Sequence, residues 1–294
     1  MSERLDSLTE INLDDLIGAL GWQKTPLLAV PARRLLRRAA RAFARQMLEF
    51  DENVGEHGLV EAARSAVQLH VRDVVVYGAT NLPTGSFLAL SNHPGMTDTL
   101  VLFAALRRPD LCAIALQRPF LLSLGHLSRQ LFYLPEEVAG RVSLIRDVAR
   151  HLRAGGAVLT FPAGHTELDP DVHPGADAAL QSWIDSAGVF ARLAAGTPVV
   201  PVCVRGVTWA AAARHPLARL RRKPDDQQLL ASALQLLAQV LFGSRPVTAR
   251  VQIGRPLRIG EPGLEKPSAL HDAVLQRMQE LVSAPPAGTG ESAL

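Results

Sequence analysis

The first stretch with a clear period runs from Asn12 to Gly21. Leu13, Leu16, Ile17 and Leu20 recur at the three- and four-residue spacing of one helix face. Asn12 suits the cap before that run, Asp15 its first turn and Gly21 its end. Pro31 fits the first position of a second helix, where the missing N–H is not needed. That helix divides into two faces. Arg33, Arg34, Arg37, Arg38, Arg41 and Arg45 fall on one; Leu35, Leu36, Ala39, Phe43, Met47 and Phe50 fall on the other, with no acidic residue before Glu49. Two readings of this basic amphipathic helix stand open: an anchor on anionic lipid, or a helix packed on the core with its arginines in water. A third helix is predicted over residues 58–69.

From Val74 the pattern changes to short apolar runs bounded by turn formers. VVVYG (Val74 to Gly78), FLALS (Phe87 to Ser91), CAIAL (Cys112 to Leu116), AVLTF (Ala157 to Phe161), VVPVCV (Val199 to Val204) and ARVQIG (Ala249 to Gly254) read as buried strands. Helical patterns at Thr99 to Leu106 and Arg141 to Arg153 lie between them. Strands alternating with helices predict an α/β fold with a mostly parallel central sheet flanked by helices, preceded by an N-terminal helical portion. Leu229 to Phe242 is a further helix, with Gln228, Ser232, Gln235 and Gln239 as its polar stripe. Its wide apolar side reads as core, or else as an acyl-chain or membrane contact. After Val282 the tail SAPPAGTGESAL lacks core residues and is predicted to be disordered. The division is residues 1–70 for the helical portion, 71–262 for the α/β core, and 263–294 for a C-terminal helix and tail.

Composition narrows the partners. Thirty-one basic against 28 acidic residues leave a formal charge of +3, which argues against nucleic acid as the default partner. Apolar residues at 48% can build a real core. Cys112 and Cys203 stand in unrelated contexts and suggest neither disulfide nor metal spacing, so a reducing cytoplasm is the expected compartment. Met1 leads into a polar stretch with no apolar signal core. No uncharged apolar run reaches the length of about 18 residues that a spanning helix needs. Any contact with membrane is therefore expected to be peripheral.

The candidate chemistry begins where FLALS runs into Asn92, His93, Pro94, Gly95, Met96, Thr97 and Asp98, followed by a helix. Parallel sheets bind ligands at the carboxyl ends of their strands. Asp98 falls in the helix's first turn, where a carboxylate is favoured, and the turn can fold it onto the imidazole. A carboxylate there fixes the histidine tautomer and stabilises the imidazolium as the ring takes a proton. A substrate with its own hydroxyl then needs no serine or cysteine nucleophile. Taken alone, the two residues also fit a loop histidine and a helix-start acid. A second constellation accompanies them: GGAVLTFPAGHTELDP (Gly155 to Pro170), and then TPVVPVCVRG (Thr197 to Gly206).

Together these segments resemble the glycerolipid acyltransferases, the family that includes lysophosphatidic acid and glycerol-3-phosphate acyltransferases. Asn92, His93 and Asp98 match the family's first motif of Asn-His, four residues, then Asp. Phe161, Pro162, Ala163, Gly164, His165, Thr166 and Glu167 stand on its third, Phe-Pro-Glu-Gly-Thr-Arg-Ser. Val200, Pro201 and Val202 match the fourth, and Gly78 to Pro83 is similar to the family's lead-in turn. The resemblance covers residues 71–206. Ala163 replaces a glutamate and Thr166 an arginine. After the strand near Leu131 to Leu134, Pro135, Glu136 and Glu137 stand where another arginine is expected, and Arg141 comes later. Arginine meets phosphate through bidentate, charge-assisted bonds that neither threonine nor glutamate supplies. The departures therefore point away from a simple glycerol phosphate as acceptor.

The resemblance implies O-acyl transfer, with His93 as base and Asp98 orienting it. It implies a substrate site at Asn92, Gly95, Phe161, Pro162, Gly164, His165, Thr166, Glu167 and Arg141, with N–H groups near Gly95 or Gly164 facing the oxyanion and Glu167 in the missing glutamate's place. It implies no cofactor and no metal, acyl-CoA or acyl carrier protein as co-substrate, a lipid or lysolipid acceptor, and a peripheral position on the inner, cytoplasmic face of a membrane. Two competitors remain. One is a non-catalytic lipid-surface binder, favoured by the altered second and third motifs and opposed by the intact His93 and Asp98. The other is a metal-dependent hydrolase using His165, Glu167, Asp169, Asp171 and His173, with one ligand more from His93 or Asp98. Pro170 and Pro174 make that segment a loop, and its spacing fits no common zinc pattern. A second basic cluster of Arg214, His215, Arg219, Arg221, Arg222 and Lys223 reads as a solvated loop, or as a contact for headgroups or coenzyme A phosphates.

Overall fold

The computed structural model describes residues 2–135, 137–219 and 224–294; Glu136 and Arg221, Arg222 and Lys223 of the second basic cluster lie outside them. Three helices come first: α1 (Ser2–Ala19), α2 (Pro26–His57) and α3 (Leu59–Val67). Two predicted starts move. Asn12 is not a cap but lies inside α1, buried, donating to the Ala40 carbonyl at 3.3 Å. Pro31 lies inside α2, whose first turn holds Pro26 instead. The N–H that Pro31 lacks would have met the Leu27 carbonyl; Leu27 is 89% exposed, so water can serve that oxygen.

The arginine stripe of α2 is half answered within the protein. Arg33 pairs with Glu10 at 2.7 Å and also with Asp14, Arg37 pairs with Glu10 at 2.8 Å, and Arg41 pairs with Asp6, all acids of α1. Beneath these pairs Leu13, Leu16, Ala40 and Ala233 form a small core. Arg34, Arg38 and Arg45 stay exposed.

The sheet has eight strands: β1 (Asp73–Tyr77), β2 (Phe87–Ser91), β3 (Leu111–Leu116), β4 (Leu131–Leu134), β5 (Ala157–Thr160), β6 (Val199–Arg205), β7 (Thr248–Ile253) and β8 (Glu291–Ser292). Between them lie α4 (Asp98–Leu106), the single turns α5 (Pro119–Leu122), α8 (Ala210–Ala213) and α9 (Pro216–Arg219), and the longer α6 (Val138–Arg153), α7 (Ser186–Leu193), α10 (Pro224–Phe242) and α11 (Pro267–Ser283). The order is β4-β3-β5-β2-β6-β7-β1-β8. The first five run parallel, β7 is antiparallel to β6, β1 is parallel to β7, and β8 is antiparallel to β1. The sheet is thus mostly parallel and flanked by helices, as the alternation predicts.

Side-chain alternation along β2 feeds two cores. Phe87 and Ala89 join the α3 and α4 side, and Leu88 and Leu90 join the α6, α7 and α11 side. α11 is integral to the second core through Leu270, Val274, Met278 and Val282. The tail departs from the expected disorder. The Ala293 N–H donates to the Val74 carbonyl at 2.8 Å, Ser292 Oγ donates to Asp73 at 2.7 Å, and Ala293 is buried. The open edge of β1 offers unpaired backbone groups, and pairing with them needs no core residues. Gly290 permits the close approach, since a Cβ there would sit 2.3 Å from Val75.

α10 buries Leu230, Ala231, Ala233 and Leu236 of its apolar side, as read from the sequence, and its polar stripe with them. Its polar stripe, Gln228, Ser232, Gln235 and Gln239, is buried, while Leu229, Leu241 and Phe242 are exposed. Each glutamine reaches a backbone group: Gln228 the Pro94 carbonyl, Gln235 the Val207 carbonyl and the Trp209 N–H, and Gln239 the His70 carbonyl. These groups lie in segments outside the ladder, where a buried donor or acceptor without a partner is costly.

Candidate active site

β2 delivers its last residues to the carboxyl edge of the five parallel strands. Asn92 follows and continues the pairing with β6 through its side chain: the Val204 N–H donates to Asn92 Oδ1 at 2.7 Å, and Asn92 Nδ2 donates to the Val204 carbonyl at 2.8 Å. The residue is buried and both amide atoms are engaged. Asn92 therefore anchors the strand end and offers no polar atom to a substrate, contrary to the sequence expectation.

His93 follows at the strand's exit. Its Nδ1 donates to Asp98 Oδ2 at 2.7 Å; Asp98 is fully buried at the start of α4, and the imidazole is 30% exposed. The same carboxylate accepts from the Gly95 N–H at 2.9 Å and from Thr99 Oγ1 at 3.2 Å. With Nδ1 held, Nε2 is the nitrogen left to take a proton. Phe161 packs beside the ring, centroids 4.7 Å apart. Burial works to lower the His93 pKa, but the charge and hydrogen bond of Asp98, aided by the charge of Glu167, raise it above the ordinary 6.5.

The backbone of the turn is held from three sides. Glu167 donates its N–H to the His93 carbonyl at 2.8 Å and accepts the His93 N–H on Oε2 at 2.8 Å. Gln228 Nε2 donates to the Pro94 carbonyl at 2.6 Å, and Thr208 Oγ1 donates to it at 3.2 Å. A side chain with a positioned base, a buried carboxylate behind it and a fixed backbone can abstract a proton from a hydroxyl brought to Nε2.

Residues 73–205, from the first residue of β1 to the last of β6, match the family model described as Acyltransferase. Over that stretch the chain is similar to the acyltransferase family. No curated protein matches the chain. Among solved structures it is similar to the 1-acyl-sn-glycerophosphate (LPA) acyltransferase PlsC of Thermotoga maritima, at 18% identity and a TM-score of 0.42 over 84% of this chain and 83% of that one.

The fold brings only some of the expected site residues to His93. Phe161 is there. Pro162 is buried and accepts from the Ile184 N–H at 3.2 Å. His165 is exposed, its Nδ1 donating to the Ala163 carbonyl at 2.8 Å, and Thr166 is half-buried beside it. Glu167 is not open to substrate: it is 3% exposed, and its second oxygen accepts Trp183 Nε1–H at 2.9 Å. Arg141 is exposed in the first turn of α6, which follows β4; β4 lies three strands from β2, roughly 14 Å across the sheet. The two glycines expected to face an oxyanion have spent their N–H groups, Gly95 on Asp98 and Gly164 on the Phe161 carbonyl at 3.0 Å.

The five side chains of the metal reading do not converge. His165 and Glu167 are engaged as described. Asp169 is buried and accepts from the N–H groups of Gly206, Thr208 and Asp171. Asp171 pairs with Arg250 at 2.7 Å and Arg205 at 3.4 Å, and His173 donates to Gln228 Oε1 at 3.2 Å. Among the described residues no three such groups gather to hold a metal ion.

Sequence reasoning missed Trp183, Thr208, Gln228 and Arg118. Arg118 follows β3 at the same sheet edge and is exposed, and its side chain forms no hydrogen bond or ion pair among the described residues. Its charge nevertheless acts on both His93 and Asp15. The amide stripe of α10 was a visible signal for Gln228; nothing local marked the other three.

Proposed function

We propose that the protein transfers an acyl group from a thioester, on coenzyme A or acyl carrier protein, to a hydroxyl of a glycerolipid, lysophospholipid or related lipid acceptor. The observation that carries this reading is the His93–Asp98 pair, with Nδ1 bound to a buried carboxylate and Nε2 left to act as base. Nε2 takes the acceptor's proton as its oxygen attacks the thioester carbonyl. The new C–O bond forms, the tetrahedral intermediate collapses, the C–S bond breaks, and the leaving thiolate takes the proton from the imidazolium, which returns His93 to its base form. Asp98 stays ionised and balances the charge of the imidazolium. Nothing on the enzyme need be acylated. Cys112 and Cys203 are poor nucleophiles, since burial pushes their thiols up to about 11 and about 12.

Arg118 supports an anionic headgroup on the acceptor, because it supplies a free guanidinium within electrostatic range of His93 where the motif arginines are missing. A peripheral position on the cytoplasmic face of a membrane is supported by a different surface from the one the sequence suggests. The exposed stripe near the start of α2 is apolar, with Leu27 at 89%, Val30 at 68% and Leu35 at 81% exposure, beside the exposed Arg34 and Arg38. Such a stripe buries its leucines among acyl chains while its arginines meet anionic headgroups. No helix among the described residues is long and apolar enough to cross a membrane.

The test is transfer of labelled palmitate from palmitoyl-coenzyme A or palmitoyl carrier protein to glycerol 3-phosphate, a set of lysophospholipids and neutral lipid alcohols. The expected outcome is transfer that His93→Ala abolishes. Silence with both donors across the set, from a folded protein, refutes the enzyme reading and leaves a lipid-surface binder.

A further inference from the structure

The buried carboxylate of Glu167 has both of its oxygens engaged within the protein. Its contacts form a closed unit. Oε2 accepts the His93 N–H, Oε1 accepts Trp183 Nε1–H, and the residue's own N–H donates to the His93 carbonyl. The first and third bonds grip both backbone polar groups of His93, in the manner of an antiparallel bridge with one side-chain arm. The second bond fixes that arm from a residue 16 positions further along, and Trp183 is itself buried in the core beneath α6 and α11. Asp98 holds the imidazole through Nδ1, and Glu167 holds the backbone from which the ring projects.

We infer that Glu167 is a positioning residue for His93: it fixes the backbone from which the ring projects and places a second buried negative charge beside the imidazolium. This rests on the reading of His93 as the base. It assigns Glu167 a role distinct from contact with the acceptor, and it makes Trp183, which lies outside the motif, part of the same device.

The electrostatic half follows from what surrounds the two groups. His93 is acted on by Asp98 from α4, Glu167 from the loop after β5, and Arg118 from the loop after β3. Glu167 is acted on by His93 and His165. Burial raises the Glu167 pKa, and the donors at Trp183 and His93 oppose that rise. Both hydrogen-bond donors on this carboxylate are uncharged. The cations that act on it are His93 and His165, once protonated.

The test is the titration of the His93 imidazole by NMR, its signal assigned with His93→Gln, in the wild-type protein, E167Q and E167D, with no substrate present. Removing the charge in E167Q is expected to lower the His93 pKa by about one pH unit, the scale of a neighbouring carboxylate. E167D keeps the charge, shortens the arm, and is expected to leave the titration near the wild-type value. In the transfer assay both variants, and Trp183→Phe, are expected to lose roughly tenfold to a hundredfold in kcat with KM unchanged, as misplacement of a base does. An E167Q titration that coincides with wild type overturns the inference. So does a raised KM with kcat retained, which would make Glu167 an acceptor contact. If E167Q does not fold, E167D and Trp183→Phe decide through the same split of kcat from KM. If the acyl-transfer reading fails, the titration still stands or falls on its own.

Discussion

Replacing Gln228 with leucine should loosen the catalytic turn from a helix that lies beyond the family match. Gln228 is buried, and its amide N–H group donates to the Pro94 carbonyl at 2.6 Å and to Thr208 Oγ1 at 2.7 Å, while its oxygen accepts from His173 at 3.2 Å. Leucine is one bond shorter and has none of these groups. His173 is only half-buried and can turn to water. The Pro94 carbonyl keeps one longer bond, from Thr208 Oγ1 at 3.2 Å. The net loss is therefore close to one buried polar group left poorly served, about 1–3 kcal/mol. For a chain of this size that lowers the melting temperature by roughly 2–10 °C. Pro94 is the neighbour of His93, so kcat should fall about tenfold while the acceptor KM stays put. Thermal unfolding and initial rates on the same preparation measure both. A variant that melts with the wild type and turns over at its rate would show that the inward amides of α10 do not hold the turn.

Asp98→Asn should reduce kcat roughly a thousandfold or more, because the carboxamide no longer fixes the tautomer or balances the imidazolium. The raised His93 pKa puts the acid limb of kcat/KM above pH 6.5 in the wild type, and in any residual activity of Asp98→Asn the limb should move down. The sign for stability is the reverse of the usual carboxylate case. A raised histidine adds stability below its unfolded value and loses it as pH rises through the folded one, so Asp98→Asn should destabilise most in acid. At the surface, Leu27→Asp with Leu35→Asp should weaken binding to anionic vesicles by at least about tenfold, from the two leucines withdrawn from lipid. Arg37→Ala should change vesicle binding little, since Arg37 is already paired with Glu10. Equal losses in both, read by vesicle co-sedimentation, would return the anchoring role to the arginine stripe.

The elements legible in the sequence are those whose local pattern and final environment agree. FLALS is buried at every position, coincides with β2, and reads as a strand because nothing polar interrupts it. α10 was legible as a helix with a core-facing apolar side, but not as one that also buries its polar stripe. An apolar-in rule puts Gln228, Gln235 and Gln239 in water, whereas the backbone groups of Pro94, Val207 and His70 have no ladder partners and draw the amides inward. The arginine stripe was legible as a stripe, but its acids sit on α1, and periodicity within one helix says nothing of its neighbour. The site divides the same way. His93, Asp98 and Phe161 lie in contiguous motifs and meet in space. Trp183, Thr208 and Gln228 reach the turn only because β5, β6 and α10 return to the same sheet edge. Arg141 was singled out by its place in the chain, and the strand order puts it at the wrong end of that edge.

That strand order also constrains how the protein can be made. β1 pairs with β7, Val74 opposite Ala249, and its other edge is closed by Glu291, Ser292 and Ala293. A ribosome adds residues at roughly 5–20 per second, so β1 leaves the exit tunnel some 10–35 s before its first partner strand exists. During that interval Val74 and Val76, fully buried in the finished protein, have only helices to lie against. The N-terminal helices thus act as a cradle for an unpaired strand during synthesis, and mutations that loosen them are expected to lower the yield of folded protein before they lower its stability.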